Sequence, residues 1–120
     1  MTAGRLSEYL DRMHDAAEKA SAFLVDIPEE HFLSDERTQM AVIMALVLIG
    51  EAAGRIMTHH PEFATDHPEI PWSKIRGMRN FVVHDYHEVE LPVIWETVRK
   101  SIPSLISELN SLRNWHAQGE

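Results

Sequence analysis

A chain of 120 residues with a hydrophobic fraction of 44% is long enough to bury one core, and it carries a net charge of -8. That acidic balance excludes a general phosphate-neutralising coat of Lys and Arg, so any nucleic-acid contact must be local. The absence of cysteine rules out both a disulfide framework and a thiolate metal site. We expect a single domain over residues 1–120. The opening stretch, MTAGRLSEYLDRMHDAAEKA, interleaves charge with apolar residues and offers no signal-peptide core, so the expected location is the cytoplasm.

The first predicted helix runs from about Arg5 to Val25. Leu6, Leu10, Met13, Ala17 and Leu24 recur on one face, the acids form a solvated face, and Pro28 closes the element. A second helix starts near Ser34, read as its N-cap, with Asp35 and Glu36 in the first turn where acids suit the helix dipole. It carries the apolar run MAVIMALVLI (40–49), too short to cross a bilayer, and continues through Gly50, Glu51 and Ala53 to about Met57. Its middle has almost no polar face, which predicts a second covering surface supplied by another copy of the chain, a homodimer. Met40, Met44 and Met57 read as filler at that interface.

The stretch THHPEFATDHPEIP (58–71) reads as a Pro- and His-rich loop, with His59, His60 and His67 in solvent. Their spacing fits no recognised helix-borne ligand pair, so neither a metal nor a cofactor is expected. A third helix is predicted from Trp72 or Ser73 to His84 or Asp85, with Ile75, Met78 and Val82 facing the core. Pro92 suits the first turn of a fourth, on which Ile94, Val98, Ile102, Leu105, Leu109 and Leu112 form one stripe, kinked or restarted near Pro103. Trp72, Trp95 and Trp115 are read as core or interface residues. Four helices and no strand signal predict an all-α antiparallel four-helix bundle.

The third helix also bears the chemistry. Between Trp72 and His84 lie Lys74, Arg76 and Arg79 and no acid, a small positive island unless acids of other helices neutralise it. Within RNFVVHDY (79–86), Arg79 and His84 are five residues apart, about 140 degrees around a helix. One helix cannot easily aim both at one atom. Two copies meeting near a two-fold axis could. An imidazole can take a proton from a ribose 2′-hydroxyl or give one to a leaving 5′-oxygen, and a guanidinium can hold the phosphate between them. Asn80 could bind a phosphate oxygen or orient the histidine. The structural alternatives are equally concrete: Arg79 pairing with Glu51, His84 serving the C-terminal dipole of its helix, and Tyr86 packing as an ordinary amphipathic residue.

The spacing of Arg79, His84 and Tyr86 closely resembles the signature of the HepT-like toxins of the HEPN superfamily. So do IGEAAGRI (49–56), IPWSKIRGMRNFVVHDY (70–86) and VIWETVRKSIPSL (93–105), in the same order. The resemblance implies a dimeric helical bundle and a toxin–antitoxin endoribonuclease that works without a metal at its dimer cleft. It makes Arg79 and His84 the catalytic pair and Asn80 their polar companion; Arg76 and Lys74, from the positive island, are expected to be weaker RNA contacts. Tyr86 matches the tyrosine to which a cognate MntA-like nucleotidyltransferase antitoxin attaches AMP. Such a group would place bulk and negative charge at the mouth of the positive groove. The alternative function is a dimeric binding module without catalysis.

Overall fold

The computed structural model describes the backbone of residues 2–119 and the side chains of residues 5–114; the expectation for Trp115 lies outside the described side chains. Helix α1 spans Thr2–Phe23, α2 Glu29–Leu33, α3 Glu36–His59, α4 Pro61–Asp66 and α5 Trp72–His84. A 3-10 turn follows at Tyr86–Glu88, then α6 at Leu91–Glu96, a π-helical turn at Thr97–Ser101, and α7 at Ile102–Gly119. The fold is all-α, and no strand occurs among the described residues.

The stripes read from the sequence are the ones buried. Leu6, Leu10, Met13, Ala17 and Leu24 of the first segment are in the core, as are Ile94, Val98, Ile102, Leu105, Leu109 and Leu112 of the last. Each large apolar side chain so buried contributes about 1.5–3 kcal/mol. Val82 is buried on α5, while Ile75 and Met78 are only partly so and pack against the core edge. Trp72 is buried and its indole N–H donates to the His67 carbonyl at 2.9 Å. Trp95 packs against Phe32 with ring centroids 5.9 Å apart.

Long-range contacts fix the directions. Tyr9 near the start of α1 meets His59 and His60 at the end of α3, so these helices run antiparallel. Arg113 of α7 bonds Asp11, whereas Arg99, before α7, reaches Leu24 and Ile27 beyond the end of α1, again antiparallel. On α3 and α5, Gly50 lies against Arg79 and Gly54 against Arg76, so that pair is antiparallel too.

Several boundaries differ from expectation. Asp35, not Ser34, is the N-cap of α3: its carboxylate accepts from the Thr38 amide at 3.3 Å and hydroxyl at 2.6 Å. Those bonds to the ionised form hold the Asp35 pKa below the usual carboxylate value. Ser34 instead caps the C-terminus of α2, bonding the Glu30 and His31 carbonyls. Helix α4 occupies part of the expected 58–71 loop, started by Pro61, whose missing N–H is no loss in a first turn. His60 is not in solvent: it is partly buried against Tyr9, and its Nε2 has no hydrogen-bond partner among the described residues. Burial, helped by neighbouring His59, pushes its pKa down. His67 is partly buried too, packed on Phe63 at 4.4 Å and 3.2 Å from Glu69. Of the three methionines read as interface filler, Met57 packs against the core while Met40 and Met44 are exposed.

Pro103 does interrupt the last helix. The chain opens into the wider π turn at Thr97–Ser101 and resumes α-helix with Pro103 in the first turn of α7, where its missing amide costs least. The turn also directs Arg99 back to α1, where it donates to the carbonyls of Leu24 at 3.3 Å and Ile27 at 2.9 Å and lies over Trp95 at 4.4 Å. Asp26, between those carbonyls, adopts the left-handed conformation with φ 60°, a short polar residue that tolerates the turn away from α1.

Candidate active site on helices α3 and α5

Close approach of two helices needs small residues at the crossing, and Gly50 supplies one. A Cβ there would lie 2.2 Å from the Arg79 Cβ and 3.2 Å from the Ile75 carbonyl oxygen, so only glycine fits without a shift. This contact seats Arg79 against α3 within reach of Glu51.

The Arg79 Nε donates to Glu51 Oε2 at 2.8 Å, and its Nη2 makes a short bond to the same oxygen. Nη1 donates to Asn80 Oδ1 at 2.8 Å. Three of the five guanidinium N–H groups are thus engaged, leaving two for an incoming anion while the Glu51 pair stays intact. Arg79 and Glu51 are 28% and 41% exposed, so the pair lies at an open surface.

These residues line a cavity of about 340 Å³. Gly50, Glu51, Gly54, Arg55, Thr58 and His59 come from α3, and Arg76, Arg79 and Asn80 from α5. Among the described residues the positive island is therefore neutralised at one point only, Arg79. Neither Arg76 nor Lys74 has an ion-pair partner among the described residues. Lys74 lies elsewhere, on a wider apolar groove of about 600 Å³ bordered by Ile75, Met78 and Leu105.

His84 is the last residue of α5; it is exposed and does not line the Arg79 cavity. One chain therefore gathers Arg76, Arg79 and Asn80 but leaves His84 apart, as its angular offset on the helix requires. Tyr86 is 40% exposed in the following turn, edge-on to His87 at 5.6 Å. Sequence reasoning singled out neither Arg55 nor His59 for this cavity. Their signal was available: Glu51, Arg55 and His59 are spaced i, i+4, i+8 and share one face of α3.

Helix α3 exposes Met40 (55%), Met44 (56%) and Leu48 (48%), and α5 exposes Phe81 (47%). The three α3 residues again follow an i, i+4, i+8 line, forming the uncovered side of the apolar run. At its full length of 24 residues α3 is apolar enough by composition to cross a membrane, unlike the ten-residue run alone, but half of that stretch is buried within the fold. Among the described residues no group of three or more His, Asp or Glu side chains is arranged to hold a metal ion.

Residues 13–112 match the family described as "Ribonuclease HepT-like". A Thermococcus cleftensis protein named "Probable ribonuclease HepT" is 42% identical over 106 residues, 88% of this chain and 94% of that one. Two proteins provisionally named as RNases, from Methanocaldococcus jannaschii and Caldanaerobacter subterraneus, are each 32% identical, covering 89% and 87% of this chain and 83% and 90% of their own lengths. No solved structure matches. With the family match covering most of the chain, this protein belongs to the HepT-like ribonucleases.

Proposed function

We propose that the protein is an endoribonuclease toxin that cleaves RNA without a metal, at a composite site made by two copies of α5 in a homodimer. The observation that carries this reading is Arg79: seated in an open cavity by Gly50 and Glu51, it retains two N–H donors for a phosphate. Its partner in catalysis is His84, which lies outside that cavity in one chain and is exposed for use by the other. The uncovered stripe of Met40, Met44 and Leu48, with Phe81, supplies the apolar surface for dimerisation, and the four long helical segments form the bundle of each protomer.

The chemistry follows from the groups. One imidazole takes the proton from the ribose 2′-hydroxyl, whose oxygen attacks phosphorus. The P–O5′ bond breaks, leaving a 2′,3′-cyclic phosphate, and the His84 of the second copy protonates the departing 5′-oxygen. Arg79 stabilises the added negative charge on the phosphorane oxygens, and Asn80 fixes the guanidinium plane. A strand without a 2′-hydroxyl lacks the nucleophile, so DNA is not cut. Arg76 and Lys74 contribute attraction for the strand. In the cytoplasm, an MntA-like nucleotidyltransferase antitoxin silences the toxin by attaching AMP to Tyr86, whose exposure makes it available. The alternative is a non-catalytic dimeric module in which the Arg79 and His84 set, with Arg79 held by Glu51, docks a nucleotide or a partner.

Purified protein incubated with total RNA in EDTA separates these readings. Cleavage that persists under chelation and disappears in Arg79→Ala and His84→Ala establishes the nuclease. Intact RNA in every preparation, with Tyr86 unmodified by mass spectrometry, establishes the binding module. Tyr86→Phe should stay toxic and escape the antitoxin; silencing of that variant by the partner refutes the modification site.

A further inference from the structure

The cavity holds more positive charge than the reaction at Arg79 uses. Three guanidiniums, those of Arg55, Arg76 and Arg79, line it against the single carboxylate of Glu51, which is already bonded to Arg79. Arg55 and Arg76 are exposed and have no hydrogen bond or ion pair among the described residues. In a chain of net charge -8, two unpaired cations facing one concave surface make a local attractor against the global field. Gly50 admits the Arg79 stem against α3. At Gly54 even a Cβ would meet only the flexible Arg76 Cδ, at 3.5 Å.

We propose that this cavity is a second phosphate subsite, in which Arg55 and Arg76 hold the backbone phosphate next to the one bound by Arg79. The inference rests on the nuclease reading and extends it from one phosphate to the strand. Arg76 and Arg79 stand one helical turn apart on α5, about 4.5 Å along the axis. Arg55 faces them from α3, one turn from Thr58 and His59, whose hydroxyl and ring N–H add donors to the same wall. A guanidinium pair on opposite walls grips a phosphate from two sides, which a single surface lysine cannot do.

The test measures binding of the full-length protein to a 2′-O-methyl RNA of about 12 nucleotides. This strand cannot supply the attacking hydroxyl and so remains uncut. Fluorescence anisotropy is followed across a salt series, with thermal melts to confirm folding and cleavage of ordinary RNA assayed in parallel. Arg55→Gln and Arg76→Gln should each weaken binding about tenfold. Each should also flatten the slope of log affinity against log salt by about 0.7. Arg12→Gln, which removes an exposed α1 arginine paired with Glu8, should change neither. If wild type cuts RNA but Arg55→Gln and Arg76→Gln bind like wild type, or no worse than Arg12→Gln, the subsite is refuted and the nuclease reading stands. If wild type cuts RNA without binding the uncut strand, the subsite is likewise refuted. If wild type neither binds nor cuts, both fall together.

Discussion

Arg79 and Arg99 both reach across helices in this protein, and they are held in different ways. Arg99 donates to backbone carbonyls at the end of α1 and lies over Trp95, so its charge is spent on groups that cannot leave. The acceptors are carbonyls beyond the last turn of a helix, which need donors in any case. Arg79 is held by a side-chain carboxylate and an amide at the wall of an open cavity, with two donors unspent. A structural cation is one whose partners are backbone and whose donors close a gap in the fold. A cation available for chemistry is aimed by side chains at the wall of an open cavity.

Paired substitutions put that contrast at risk. Arg79→Ala should lower RNA cleavage about 100-fold or more, the scale for losing a charge-stabilising donor. Its effect on stability should be about 1 kcal/mol or less, because an open ion pair is screened by solvent. A variant that cleaves normally would place Arg79 with Arg99 as a packing residue. Gly50→Ala tests how Arg79 is aimed: the added Cβ collides with the Arg79 Cβ, and separating α3 from α5 should cost about 1–3 kcal/mol in urea unfolding. Cleavage should fall with it. If Gly50→Ala is as stable as wild type, the close approach does not hold Arg79.

Arg99→Ala should show the reverse pattern, with about 1–2 kcal/mol lost from the anchoring of the π turn and cleavage retained. Loss of cleavage at unchanged stability would erase the distinction between the two arginines. The smallest effect concerns His60. Its folded pKa lies below the usual value of 6.5, so the unfolded chain takes up this proton first. The stability it contributes is complete above about pH 6.5 and is lost as the pH falls below that value. His60→Gln should therefore flatten the decline of melting temperature on acidification; an unchanged profile would mean that burial does not oppose its charging.

Periodicity located the long elements well, because each has enough turns to display a stripe. The third helix was expected from Trp72 or Ser73 to His84 or Asp85 and spans Trp72–His84, and every residue of the stripe from Ile94 to Leu112 is buried. Helices α2 and α4 were missed, since five or six residues give no second turn against which a period can be read. The capping exchange between Ser34 and Asp35 was missed because both are good caps in one sequence window, and the choice depends on which hydroxyl or carboxylate meets Thr38. Arg79 and its pairing with Glu51 could be considered from residue types alone. The spacing puts Arg55 and His59 on the Glu51 face of α3, but that this face turns toward α5 could not be read from it.

The amino-acid order by itself determined the helical class, the buried stripes and the separation of Arg79 from His84 around one helix axis, because these follow from local period and helical geometry. Tertiary structure alone decided that a glycine on α3 admits Arg79, that Glu51 takes only part of its donor set, and that Arg55 of α3 and Arg76 of α5 line one cavity. Those facts depend on the crossing of two helices whose contacting residues lie 28 positions apart in the chain, a distance at which no local pattern carries orientation.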